Sequence, residues 1–481
     1  MATVEFGPIS GEFSGAELGD ARLEKRVLKI ADTLAAMPDE SFPTLTSNDS
    51  ELEAFYRFFN NEKVEAELVL APHFRETARR AALELEKSVV VIHDTTAFSF
   101  GGQTKRKGLG RLKTGSEHAV QGFYAHMALV SSIETGAPLG VLGVVPVVRE
   151  GPPVPYPDFK PKRHGRVREF ERWERLVDEA CARLGEIRAI HVMDREADAF
   201  SVFHQLTEKE QDFVIRAKGE RVLDVPRGDR EEPRLLSHAI ERGKYVMSRE
   251  VQLSAKRSDR MARLRKIPQR MMRIATLDVS VTHVNVRHPT YVAGRSRHGS
   301  PLPRSVPVNV VHVREVDTPS EQTPVEWTLL TTLPIDTEEE VQFVIDCYRR
   351  RWLIEEYFKA IKTGCAFEKR QLESRHALMN ALAVFVPIAW RLLLLRYLAR
   401  EAPNRPATDV LSERQIKILS ARKKVPLGNA PTVRQAMLAV AAEGGHIKNN
   451  GDPGWQVLGR GFEKLLDMEL GYSIAENRRK I

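Results

Sequence analysis

Apolar and polar positions divide this chain into a helical start, a strand-rich middle and a helical end. Residues Asp20 to Met37 place Leu23, Val27, Ile30, Ala31 and Leu34 at helical spacing, with Arg22, Lys25, Arg26 and Lys29 between them. Glu51 to Asn60 and Pro72 to Lys87 repeat the helical pattern. The period then changes. Ser88-Val-Val-Val-Ile-His-Asp94 is a continuous apolar run, as buried strands are, and is expected to end on Asp94. Strand patterns follow at Ala119–Ile133 and Leu139–Val148, then a Pro-rich loop at Gly151–Pro161 and an amphipathic helix at Phe170–Leu184. A second buried strand, Arg188–Met193, ends on Asp194. A helix from Glu196 to about Leu206 and a strand at Phe213–Lys218 complete the series.

The predicted order is β-β-β-α-β-α-β, with acids closing the first and fourth strands. It matches an α/β (α+β) ribonuclease-H-like core, in which those two strands are neighbours and their carboxylates meet. A third acid is then expected from a later helix, and Glu355 is placed to supply it. The long gap from Asp194 to Glu355 implies an insertion. Residues 219–323 read mainly as strands, with Leu277-Asp-Val-Ser-Val-Thr alternating and Val306–Val316 rich in Val. A basic cluster inside it holds Lys256, Arg257, Arg260, Arg263, Arg265, Lys266 and Arg270, suited to DNA phosphates or to a solvated hairpin. Ala377–Leu398 is strongly apolar and is expected to pack on the core or on a partner subunit.

The densest chemistry lies between Tyr348 and Lys362. Wound as one helix at about 100° per residue, Arg351, Glu355, Lys359 and Lys362 fall within roughly 60–80° of Tyr348, beside a core face of Leu353, Ile354, Tyr357, Phe358 and Ile361. A carboxylate suits a hard divalent cation, and Arg and Lys suit phosphate oxygens. Glu356 is the competitor of Glu355 and falls on the other side of the stripe. Lys359 either joins the phosphate face or pairs with Glu355 at i,i+4. Glu196 and Asp198 compete with Asp194, but both lie in the following helix; Arg195 and Asp198 could support Asp194 from behind or merely start that helix. His93 reads as a packed core histidine rather than a base.

Composition sharpens the class of partner. Net charge is +8 over 481 residues, which favours a polyanion. The three cysteines, Cys181, Cys347 and Cys365, form no CxxC pair, so neither a zinc site nor a disulfide framework is indicated, and a reducing compartment fits. No apolar run is read as approaching the roughly 20 residues of a membrane span, and the N-terminus lacks a signal-peptide pattern.

Tyr348, Arg351, Glu355 and Lys362 reproduce a Y-x2-R-x3-E-x6-K spacing, inside Arg-Trp-x-Ile-Glu-Glu-x-x-Lys-Ala-x-Lys-Thr-Gly. This resembles the bacterial insertion-sequence-four family of DDE transposases, transposon-five type. His93-Asp-Thr-Thr-Ala-Phe-Ser-Phe100 resembles its first aspartate motif and Met193-Asp-Arg-Glu-Ala-Asp198 its second. Glu17-Leu-Gly-Asp-Ala-Arg22 and Ala54-Phe-Tyr-Arg-Phe-Phe59 resemble its DNA-binding domain, and Gly444-Gly-His-Ile to Trp455 its C-terminal domain.

The resemblance implies a cut-and-paste enzyme in which Asp94, Asp194 and Glu355 hold two Mg²⁺ or Mn²⁺ ions. It would nick transposon ends, form and reopen a hairpin, and join the 3′-hydroxyl to target DNA. Trp327 would stack on a flipped base, while Tyr348, Arg351 and Lys362 grip phosphates. Arg216, Lys359, Arg22 and Arg26 are further DNA-binding candidates. The implied organisation is a helical DNA-binding domain over residues 1–70 and a catalytic core over 71–218 and 324–372. The β-rich insertion covers 219–323, and a helical, dimerising domain 373–481. A homodimer acting on paired inverted repeats, in the bacterial cytoplasm at the nucleoid and without a membrane, is expected. The alternatives are a non-catalytic end-binding inhibitor and a ribonuclease-H-like structure-specific nuclease.

Overall fold

Four helices open the chain in the computed structural model: α1 (Ala21–Ala36), α2 (Phe42–Leu45), α3 (Asp49–Asn60) and α4 (Ala66–Ala82). The structure describes residues 8–478 except 85, 102–104, 113–119, 150–162, 227–231, 254–271, 290–300, 320, 321, 323, 423 and 448–451. The Pro-rich loop and the basic cluster from Lys256 to Arg270 therefore lie outside the described residues. Helix α1 starts where Asp20 accepts the Arg22 N–H at 2.8 Å, and α3 where Asn48 accepts the Glu51 N–H at 3.0 Å. Phe42, Phe55 and Phe59 pack ring to ring and join α2 to α3.

The middle of the chain builds one sheet of ten strands. In order come β1 (Ser88–Phe100), β2 (Gly110–Arg111), β3 (Gln121–Ser132), β4 (Pro138–Val147), α5 (Arg163–Leu184), β5 (Arg188–Met193), α6 (Phe200–Glu208) and β6 (Asp212–Arg216). Then come α7 (Leu236–Glu241), β7 (Lys244–Leu253), β8 (Arg273–Arg287), β9 (Ser305–Val316) and β10 (Glu326–Thr331). The sheet order is β2-β3-β1-β5-β6-β10-β9-β8-β7, with β4 on the other side of β3 from β1. Strands β1, β3 and β4 form an antiparallel meander, and β5 and β6 run parallel to β1. That is the order of a ribonuclease-H-like core. Strand β10 then joins β6, so β7, β8 and β9 continue the same sheet.

Strand β1 does not end on Asp94. Thr95 to Phe100 continue it against β3, from Asp94↔Met127 to Phe100↔Gln121. What ends near Asp94 is the parallel pairing with β5, whose last register pair is Ile92↔Val192. The alternation of Thr96, Phe98 and Phe100 toward a covered face explains the extension, since Phe98 and Phe100 are fully buried on Phe123 and Phe367.

The segment expected as one helix over Tyr348–Lys362 is broken. Helix α8 (Glu338–Arg349) begins at a capping box between Thr337 and Glu340. A tightened turn follows, in which the Arg351 N–H reaches Tyr348 O and the Leu353 N–H reaches Arg350 O. Helix α9 (Trp352–Lys359) continues and widens into a π turn, Ala360–Gly364, closed by Cys365 N–H to Ala360 O at 2.8 Å. The break is a change of hydrogen-bond reach from i−4 to i−3 and then to i−5.

The chain ends in α10 (Arg375–Glu401), α11 (Glu413–Arg422), α12 (Val433–Glu443) and α13 (Trp455–Arg478). Contrary to the sequence reading, α10 is long and apolar enough to cross a membrane. Of its most apolar window, however, 94% is buried within the protein, against α3, α4, β4 and α13. A central helix packed on all sides has the composition of a membrane span. Helices α12 and α13 meet at Gly444 and Gly461, where an added Cβ would fall 1.9 Å from Val457 O and 1.8 Å from Val440 O respectively.

A buried polar group fastens the N-terminal helices to the sheet. Glu12 shares a 2.6 Å hydrogen bond with His73 Nδ1 and accepts Arg80 Nη1 at 2.7 Å. The Val141 N–H donates to His73 Nε2, which fixes that ring as the Nδ1–H tautomer donating to Glu12. Burial would raise the Glu12 pKa, but His73 and Arg80 outweigh it and hold it well below the usual carboxylate range. Its contribution is present at neutral pH and is lost as pH falls below the unfolded value of about 4.5. Glu12→Gln is expected to cost about 3 kcal/mol at pH 7 by chemical denaturation, because it leaves Arg80 uncompensated. The difference from wild type should shrink toward pH 3.

Candidate active site

The two aspartates meet through strand register. Ile92 pairs with Val192, so Asp94 and Asp194, two residues further along each strand, lie side by side on one face of the sheet. Past this point the two chains part, because β1 turns to β3 alone while Asp194 caps the 3₁₀ turn Arg195–Ala197. Each carboxylate is oriented by a backbone donor. The Thr95 N–H reaches Asp94 Oδ1 at 2.7 Å, and the Glu196 N–H reaches Asp194 Oδ1 at 2.8 Å.

Glu355 comes from α9, which packs on β1. Arg351 stands between it and Asp94, donating Nη1 to Asp94 Oδ2 at 2.8 Å and Nη2 to Glu355 Oε1. Arg351 and Glu355 lie one helical turn apart at the start of α9, which packs over β1. Asp94 is pushed up to about 7 by burial first and then by the negative charge of Asp194, with Glu355 adding to it. Arg351 and the Thr95 N–H pull the other way without offsetting this. The same carboxylates raise the pKa of Arg351 against its own burial.

Three hard oxygen donors in one another's field suit a divalent cation such as Mg²⁺ or Mn²⁺. Among the described residues no three His, Cys, Asp or Glu side chains are gathered closely enough, as placed, to hold a metal. The Arg351 guanidinium, seated between Asp94 and Glu355, keeps those two apart and supplies the positive charge itself. The donor chemistry thus fits a metal, and the present arrangement is closed over by an arginine.

Other candidates gather beside this group. Trp327 on β10 stands edge to face with Tyr348 at 5.7 Å between centroids. Arg216, at the end of β6, donates to Glu326 O at 2.8 Å and interacts with the Tyr348 hydroxyl; burial lowers its pKa. Lys362, on the π turn, lies 5.6 Å over the Phe98 ring rather than against a carboxylate, and burial lowers its pKa too. Lys359 pairs with Glu356 at 2.6 Å, not with Glu355, and covers the half-exposed Trp352. Arg22 and Arg26 lie on α1, Arg22 exposed and tied to Asp20. Asp198 is drawn away to Arg221 and the Lys218 N–H.

Beneath Asp94, His93 and His191 share a 2.9 Å hydrogen bond, and His126 meets Thr95 Oγ1 at 3.0 Å. Burial pushes His93 and His126 well below their usual pKa and His191 down to about 3, so all three are neutral core groups. Sequence reading missed Thr95 and Arg172 as neighbours of the aspartates. The hydroxyls of Asp94-Thr-Thr were the one available signal.

Comparison with known proteins gives matches to two family models and to solved structures. The transposase DNA-binding family model matches residues 9–64. The transposase DDE domain model matches residues 162–385, a span that includes Asp194 and Glu355, with Asp94 lying before it. Among solved structures, a piggyBac transposase synaptic complex with hairpin DNA is similar at 9% identity and a TM-score of 0.35, over 97% of this chain and 79% of that one.

Crowded carboxylates should destabilise the metal-free protein. A raised Asp94 pKa means that its ionisation costs stability as pH rises from about 4 to 7. In chelator at pH 8, Asp94→Asn is expected to melt higher than wild type by about 2 °C or more. At pH 5 the difference should fall to less than half of that, because only part of the penalty between the unfolded value of 3.8 and the folded value of about 7 is then felt. Calorimetry at both pH values checks this, and a variant that melts lower at pH 8 would contradict it.

Proposed function

We propose that this chain, a DDE transposase with its own transposase DNA-binding domain, is a cut-and-paste enzyme of the insertion-sequence-four family, transposon-five type. As a DDE transposase it is a metal-dependent enzyme that cleaves DNA and transfers strands, and its partner is DNA. The cation is divalent, generally Mg²⁺. In our reading Asp94, Asp194 and Glu355 hold it, as two ions per site. When bound, it supplies Lewis acidity at the attacking and leaving oxygens of phosphoryl transfer.

The chain's own groups then divide the work. Arg351 gives up Asp94 and Glu355 and turns to a DNA phosphate, joined by Lys362 and the Tyr348 hydroxyl. Trp327, with Tyr348 and Arg216 beside it, receives a base turned out of the stack, as hairpin formation at the transposon end requires. Lys359, Arg22 and Arg26 add phosphate contacts. Residues 1–70 dock the inverted repeat, 71–218 and 324–372 carry the chemistry, 219–323 flank it, and 373–481 pair two copies in a synaptic complex. The enzyme works in the bacterial cytoplasm on nucleoid DNA.

The observation that carries this reading is the register that sets Asp94 beside Asp194, with Glu355 joined to Asp94 through Arg351. The test incubates purified protein and Glu355→Ala with Mg²⁺ and a duplex bearing the inverted repeat that flanks the gene. End-specific nicks followed by hairpins, reduced at least about 1,000-fold in the variant, are expected on denaturing gels. Specific binding without cleavage would mark an end-binding inhibitor. Cleavage indifferent to the repeat would mark a general nuclease.

A further inference from the structure

We infer that Arg172 is a positioning residue that clamps together the two strand ends carrying Asp94 and Asp194, and so sets the spacing of the metal-binding carboxylates. The inference rests on the reading of those aspartates as metal ligands. Arg172 lies on α5, and its side chain is only 10% exposed. Its Nε donates to Thr95 Oγ1 at 3.1 Å and its Nη2 to Glu196 Oε2 at 2.7 Å.

Those two acceptors are the residues whose backbone N–H groups orient the aspartates. Thr95 N–H holds Asp94 Oδ1, and Glu196 N–H holds Asp194 Oδ1. One guanidinium therefore reaches both strand ends through equivalent two-step paths. It does so where the sheet offers no tie of its own, since the β1–β5 register pairs stop at Ile92↔Val192. Without a cross-link, two like charges past the last backbone pair are free to move apart.

The directions of the hydrogen bonds agree. Arg172 can only donate, so Thr95 Oγ1 accepts from it, and the same hydroxyl shares a 3.0 Å hydrogen bond with His126 Nδ1. His126 is fully buried against Trp173, the next residue of α5, at 4.2 Å between centroids. The helix, the histidine and the threonine thus form one packed block behind Asp94. A planar fork with two separated donors fits this place; an ammonium reaches one acceptor and not both.

The clamp acts on metal binding rather than on DNA docking, which gives it a specific readout. Manganese affinity is measured on the full chain from the resonance signal of free Mn²⁺, for wild type, Asp94→Asn, Arg172→Ala and Glu196→Ala. The Glu196 side chain is 60% exposed, so its removal leaves the core intact. Unfolding midpoints and binding to the inverted-repeat duplex in chelator are measured alongside. Arg172→Ala is expected to lose about 10–100-fold in Mn²⁺ affinity, and Glu196→Ala about tenfold, with duplex binding within about twofold of wild type. Adding Glu196→Ala to Arg172→Ala should cost nothing more.

Manganese affinities within about twofold of wild type in both variants would overturn the clamp while leaving the aspartate site standing, provided Asp94→Asn abolishes binding. Equal losses of Mn²⁺ and duplex binding would overturn it in favour of general support of the fold. Manganese binding that survives Asp94→Asn would overturn the clamp and the metal-site reading together.

Discussion

The parallel pairing of β1 with β5 is the constraint on which the site depends. It joins residues about a hundred positions apart and fixes them to the residue, because a slip of one would send one aspartate to the opposite face of the sheet. With Ile92 set against Val192, Asp94 and Asp194 are neighbours without either being aimed by its own loop. Everything else is arranged around that edge. Strand β3 continues β1 beyond it, α5 covers it from behind, and α9 closes it from the front.

The price of such an arrangement is electrostatic. Two aspartates in register, with a glutamate nearby, repel one another in a place that burial keeps poorly solvated. The chain offsets this with arginines rather than with distance. Arg351 lies in front, held by Asp94 and Glu355, and Arg172 lies behind, on Thr95 and Glu196. The front guanidinium touches the carboxylates themselves and stands where a cation would compete with it. The rear one touches only their neighbours and can stay in place whatever the carboxylates bind. One site thus contains a displaceable charge and a fixed one, which suits chemistry that must be dormant until DNA and metal are both present.

How much of this was legible in the sequence follows from the range of each interaction. Buried strands ending near Asp94 and Asp194 were readable because apolar runs are local, and their order matched the sheet. The continuation of β1 to Phe100 was not, because Thr95 and Thr96 after an aspartate look like a turn until β3 is seen to pair with them. Tyr348, Arg351 and Glu355 stood out by spacing. The tightened turn and the π turn around them did not, since a shift of hydrogen-bond reach has no compositional mark. Lys359 was a stripe residue on an ideal wheel and pairs with Glu356 in the fold, three residues away. Arg172 was invisible among the basic residues of α5, because which arginine turns inward is decided by the sheet it meets. Helix α10 was expected to pack on the core or on a partner subunit, and it packs within the protein although its length and composition would also suit lipid.

The central claim is that Asp94, Asp194 and Glu355 form one divalent-metal site that Arg351 closes in the metal-free chain. The most direct test is a crystal of the full chain with end DNA and Mn²⁺, with diffraction recorded at the manganese absorption edge. Anomalous density is expected between Asp94 and Asp194, with Arg351 moved off Asp94 onto a phosphate. Manganese absent from that position, or present with the Arg351–Asp94 contact intact, would contradict it.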